Sequence, residues 1–156
     1  FIKLLFYQVG FLGDYIYSCV VALIHFYGQE VLGVSTIYTS GIISTYLLVF
    51  GLAAPIAGWI SDKIGVKKQL FMSFIVMIIA LTILSMIKTL RLFTISIIIY
   101  FLGAIFLNSG LQNSLLKFGE KKKVEGIIFG VVGACESLGY AIGPIILSYI
   151  YNIIYI

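Results

Sequence analysis

Charge is scarce in this chain of 156 residues: 10% are Asp, Glu, Lys or Arg, against 62% that are hydrophobic. A water-soluble domain is about half apolar and about a quarter charged. A fold of this size has too little interior to hide such an excess, so hydrocarbon must meet it. Cysteine is nearly absent. Cys19 and Cys135 both stand inside apolar runs, which excludes a disulfide framework and reads as two small buried hydrophobes. There is one histidine, His25, and no metal-ligand spacing. No Walker loop, dinucleotide fingerprint or nucleophile–His–acid set occurs, so the residues point to no enzyme and no cofactor. Methionine is missing before Met72 and the chain opens on Phe1, as expected of a piece of a longer protein. The apolar run that follows is too long for a signal peptide, and no clean small-residue cleavage pattern follows it.

What the chain has in plenty is long apolar text. Five stretches, about 4–27, 37–60, 69–87, 92–116 and 127–150, are each long enough to cross about 30 Å of hydrocarbon at about 1.5 Å per helical residue. Runs of about 20 apolar residues without alternation exclude barrel strands and leave helices. The connectors are short, with no linker, low-complexity tract or separate soluble domain. The expected organisation is one all-α transmembrane bundle over 1–156.

The few charges carry orientation. Nine of the ten basic residues are lysines. Lys3, Lys63, Lys67, Lys68, Lys117, Lys121, Lys122 and Lys123 fall on one side of the five spans, and only Lys88 and Arg91 on the other. Positive charge is retained in the cytoplasm, so the N-terminal end and the Lys-rich loops are expected there. This accounts for the formal net charge of +4. A nucleic-acid partner is excluded, because these lysines sit in separate short loops without aromatic stacking platforms.

The second connector reads Gly58-Trp59-Ile60-Ser61-Asp62-Lys63-Ile64-Gly65-Val66-Lys67-Lys68-Gln69-Leu70. It resembles the signature loop between helices two and three of the major facilitator superfamily. Gly58, Ile60, Asp62, Lys63, Gly65, Lys67 and Leu70 match, and Val66 stands where a basic residue is usual. Gly58 is expected to let helices approach, Gly65 to permit a tight turn, and Asp62 to cap backbone N–H groups or meet a helix end. In that family the loop latches the two halves together on the cytoplasmic face. The fifth stretch places Gly130, Gly139 and Gly143-Pro144 in a pattern similar to the family's antiporter motif. The string Gly139 to Pro144 also resembles one in vesicular amine transporters. Leu147 and Ser148 replace the usual paired glycines. Gly130, Gly133, Gly139 and Gly143 are expected to form one smooth ridge for helix contact, and Pro144 a bend.

The resemblance spans nearly the whole chain. It implies five helices of one six-helix half of a twelve-helix bundle built from repeats. The fourth stretch carries no Arg between Ile97 and Ser109, where many proton-coupled members have one in the N-terminal half. Its text, with Asn108, Gln112 and Asn113, looks more like the tenth helix of the C-terminal half. The faithful loop motif points to the N-terminal half.

Charges in mid-membrane are costly and mark function. Asp14 lies in the first span, on a face with Tyr7, Phe11, Tyr17, Ser18, Val21 and His25 at helical spacing. Glu136 lies in the fifth, with Gly133, Tyr140 and Gly143 on its side. Each carboxylate either binds a cationic substrate, takes up a proton, or makes a structural hydrogen bond. Tyr17 and Tyr140 are candidate cation–π partners, and Asn108 and Gln112, four apart, are candidate substrate amides or interhelical bonds. His25 reads as interfacial. In the family, helices one, two, four and five line the central cavity. The resemblance therefore implies a secondary transporter moving a small organic, cationic or drug-like solute by alternating access, with protons as coupling ion and a missing half as partner. The alternative of another class is a non-transporting membrane module, a scaffold, sensor or gene remnant.

Overall fold

The apolar runs become five long helices in the computed structural model, which describes residues 2–86, 89–122 and 125–155. They are α1 (Ile2–Phe26), α2 (Thr36–Ile64), α3 (Val66–Met86), α4 (Leu90–Lys122) and α5 (Glu125–Tyr155). A single wide turn of π-helix, Tyr27–Val31, extends α1. All five are long and apolar enough to cross a membrane. Three exceed the apolar text. At 29, 33 and 31 residues, α2, α4 and α5 would be roughly 44–50 Å long if straight, so their ends project past the hydrocarbon. The expected connectors at 61–68 and 117–125 are thus largely helical among the described residues.

The boundaries have local causes. Ser35 is extended and its Oγ accepts from the Tyr38 N–H at 3.3 Å, capping α2. One residue, Gly65, separates α2 from α3. Its φ of +86° is a conformation glycine adopts without a Cβ penalty. The Gly65 N–H donates to the Ser61 carbonyl at 3.0 Å, and the Gly65 carbonyl accepts from the Gln69 N–H at 3.2 Å. Pro55 and Pro144 lie inside α2 and α5, a placement membrane helices tolerate.

The contacts divide the chain into two compact units, Gln29–Ser114 and Phe1–Gly28 with Leu115–Ile156. In the first, α3 buries only a narrow stripe, Gln69, Ser73, Met77, Ala80 and Leu84, spaced three or four apart. Phe71, Met72, Ile78 and Met86 on its other faces are more than half exposed, as suits a helix bathed in lipid. The stripe meets α4 where glycine leaves room. A Cβ on Gly103 would stand 2.8 Å from Met77 Cγ, and one on Gly110 3.1 Å from Leu70 Cδ2. Gln69 is buried at the centre of this unit. Its Nε2 donates to the Phe106 carbonyl of α4 at 2.9 Å and to the Ala57 carbonyl of α2 at 3.3 Å. One amide thereby clasps three helices. Tyr46 of α2 stacks on Phe101 of α4 at 4.0 Å, and Tyr38 shares a hydrogen bond with Thr94 at 2.7 Å. These pairs advance together along both chains, so α2 and α4 are parallel and α3 is antiparallel to them.

In the second unit α1 and α5 pack side by side. A Cβ on Gly139 would run into the Phe11 carbonyl, and one on Gly143 into Ser18 Oγ and the Tyr15 carbonyl. From the other side, Gly10 lies against Val132 and Glu136. The Cys19 thiol donates to the Gly143 carbonyl at 3.4 Å. Phe26 stacks on Tyr151 at 5.4 Å toward the ends of both helices. The order of these contacts makes α1 and α5 parallel. At the start of α1, Phe6 meets Phe118 at 5.6 Å.

Two expectations need correction here. The glycine ridge of α5 is shorter than its motif suggests, since nothing lies within 4 Å of a Cβ on Gly130 or Gly133. The two cysteines are free thiols, each only half-buried.

Candidate functional site

Close packing of α1 on α5 creates the arrangement of greatest chemical interest. Glycine at position 10 lets the Glu136 side chain lie along the α1 backbone, where a Cβ on Gly10 would be 3.2 Å from Glu136 Cγ and 3.6 Å from its Oε1. Asp14 follows Gly10 by about one helical turn. The two carboxylates are close enough to feel each other's charge. Both are half-buried. Tyr17, on the same face of α1, stacks against Tyr140 of α5 with ring centroids 6.1 Å apart and an interplanar angle of 29°. Tyr17 is within electrostatic range of Asp14 as well. Among the described residues, no Lys, Arg or His makes an ion pair with Asp14 or Glu136. Two acids and two π faces drawn together on one helix pair form an acidic, aromatic locus within spanning segments, suited chemically to a proton or an organic cation.

His25 stands in the last turn of α1. It lines an open pocket with Ala22, Phe26, Pro144, Ile145 and Ser148, well along the helix from the acids. The proline of the antiporter-like motif therefore borders that pocket, while Gly139 and Gly143 hold α1 close.

The loop motif forms a second constellation, on α2, α3 and α4. Asp62 lies in the last turn of α2 and accepts a hydrogen bond from Asn113 Nδ2 of α4 at 3.0 Å. The printed contact of Asp62 is thus to a side chain of α4, an amide that the text did not single out. Gly58 faces Ser109 of α4 at an ordinary 3.7 Å, so it allows the approach without being crowded. Lys63 lies over the Trp59 ring, 3.8 Å from its centroid, one turn away on the same helix. Lys67 and Lys68 open α3 and are exposed. Of the candidate amides, Asn108 and Gln112 are half-buried on α4 and make no side-chain hydrogen bond among the described residues. Asn113 and Gln69 make the interhelical bonds instead. Gln69 had a legible signal: an amide in a span with no ionisable residue.

Between α2 and α4, toward the starts of both helices, lies an open groove of about 520 Å³. Its walls are mostly apolar and include Ile37, Thr45, Tyr46, Thr94, Ile98 and Phe101.

A chain of five membrane-length helices with lipid-suited outer faces is an integral, multi-pass membrane protein. Compared with known families, residues 5–155 match the model described as Major Facilitator Superfamily, and the chain belongs to that superfamily of membrane transporters. Neither the curated proteins nor the solved structures return a match. The all-α fold is that of a portion of one half of the superfamily's bundle.

Proposed function

We propose that this chain works within a secondary active transporter that exchanges a small organic cation for protons by alternating access. The observation that carries the reading is the junction of Asp14, Glu136, Tyr17 and Tyr140 on the packed pair α1 and α5. A carboxylate pair in a spanning segment offers a place where a proton and a cation compete, which is the minimum an exchanger needs. The tyrosine faces add a surface that favours an organic cation over a metal ion. Asn108 and Gln112 are assigned to substrate contact on α4. The signature loop, with Asp62, Lys63, Gly65, Lys67 and Lys68, serves as the cytoplasmic latch against the other half of the transporter, and the Lys-rich ends face the cytoplasm.

The test is ethidium movement in liposomes carrying the full-length protein under an imposed pH gradient. Wild type is expected to accumulate the dye with the gradient. Asp14→Asn is expected to abolish or uncouple this movement. Glu136→Gln is expected to slow it by about tenfold, the loss of one charge-assisted contact. Gradient-driven transport at the wild-type rate in both variants removes these acids from the mechanism. A folded wild type that moves no cation under any gradient favours a non-transporting membrane module.

A further inference from the structure

The groove between α2 and α4 has a length, a lining and a charge at its mouth that agree on one occupant. It runs from Ile37 to Val49 on α2 and from Thr94 to Ile105 on α4. At about 1.5 Å per residue that is roughly 16–18 Å, close to half of a hydrocarbon core about 30 Å thick. It begins where the apolar text of both helices begins, so it follows one leaflet inward from the interface. Its wall hydroxyls at Tyr38, Thr45 and Thr94 are already engaged. Thr94 Oγ1 donates to the Leu90 carbonyl at 3.0 Å and is bonded to the Tyr38 hydroxyl at 2.7 Å, while Thr45 Oγ1 donates to the Gly41 carbonyl at 2.8 Å. Ile98 and Leu102, on the α4 wall, are half-exposed. Such a slot suits a methylene chain better than a solute selected by hydrogen bonds.

The charge stands at the mouth. Arg91 lies one turn before Thr94 on α4, hence on the groove's side of that helix, and just outside the apolar text that starts at Leu92. It is exposed, and no carboxylate among the described residues pairs with it. A guanidinium presents the planar fork that binds phosphate through two hydrogen bonds. We infer that this groove is a binding site for an anionic phospholipid, with one acyl chain between α2 and α4 and the phosphate on Arg91. The site shares no residue with the Asp14–Glu136 junction, and its occupancy is read without any transport.

The test titrates dioleoyl phosphatidylglycerol into the delipidated full-length protein in detergent and follows the melting temperature. Wild type is expected to show a saturable rise. Dioleoylglycerol, with the same chains and no phosphate, is expected to need about tenfold more for half-saturation, as loss of a hydrogen bond to a charged group predicts. Arg91→Gln is expected to abolish that difference between the two lipids. Gly41→Phe places a ring in the groove, where a Cβ meets nothing within 4 Å. It is expected to melt with wild type when lipid-free and to lose the saturable rise. Equal half-saturation by both lipids in wild type, an unchanged preference in Arg91→Gln, or a full rise in Gly41→Phe each overturn the inference. So does the same rise produced by glycerol phosphate alone, which would mark a free-phosphate site. Competition by ethidium for the Gly41-sensitive rise would give the groove to a cationic solute and overturn it as well. Should Gly41→Phe fail to fold, the lipid comparison and Arg91→Gln still decide.

Discussion

Glycine has two different uses in α5. Gly139 and Gly143 are buried against the backbone and Ser18 of α1, so any Cβ forces the helices apart. Gly130 and Gly133 look out into open space. Gly143→Val is therefore expected to destabilise the α1–α5 pair by about 1–3 kcal/mol, the usual range for overpacking. Gly130→Ala is expected to be neutral or to stabilise by about 0.5–1 kcal/mol, through helix propensity alone. Thermal unfolding in detergent separates the two; equal losses would mean that α5 contacts α1 along a different face. The distinction was not legible in the text, where all four glycines share one apparent ridge. Gly10 was missed for the opposite reason. It stands outside any motif, yet it makes room for Glu136.

Helix α3 is held by very little. Its buried stripe holds five residues, and Gln69 reaches across to both neighbours. Interhelical hydrogen bonds in membranes contribute about 0.6–2 kcal/mol, because separated helices find other partners in lipid. Gln69→Leu is expected to cost about that much, since it fills the space while losing both bonds. Gln69→Ala is expected to cost about 1–2 kcal/mol more through the cavity it leaves. Melting temperatures of the two variants give the comparison, and equal stability of both with wild type would show that the clasp contributes nothing. The same clasp explains why the expected loop at 61–68 is nearly all helix. With α2 and α3 pinned at Ala57 and Gln69, a single glycine at φ +86° suffices to reverse the chain.

At the scale of the whole molecule, the distribution of lysines predicts how the protein sits in the bilayer. Lys67 opens α3, and Gln29 lies in the wide turn that ends α1. Both are exposed. A cysteine introduced at position 67 is expected to react with an impermeant thiol reagent only from the cytoplasmic side, and one at position 29 only from the other, in a background with Cys19 and Cys135 replaced. The reverse pattern would overturn the orientation drawn from positive charge.

Composition alone settled that this chain is membrane-embedded and helical. Scarce charge and runs of about 20 apolar residues admit one solvent and one backbone geometry, whatever the packing. The loop motif was enough to suggest the superfamily, because its spacing serves a local turn built on Gly65. Which helices are neighbours belonged to the tertiary structure. In lipid the apolar residues on every face of a helix are interchangeable to the solvent, so periodicity does not mark the packed side. Only close approach of backbones decided that Glu136 lies over Gly10, that Tyr17 meets Tyr140, and that Asn113, not Gln112, reaches Asp62.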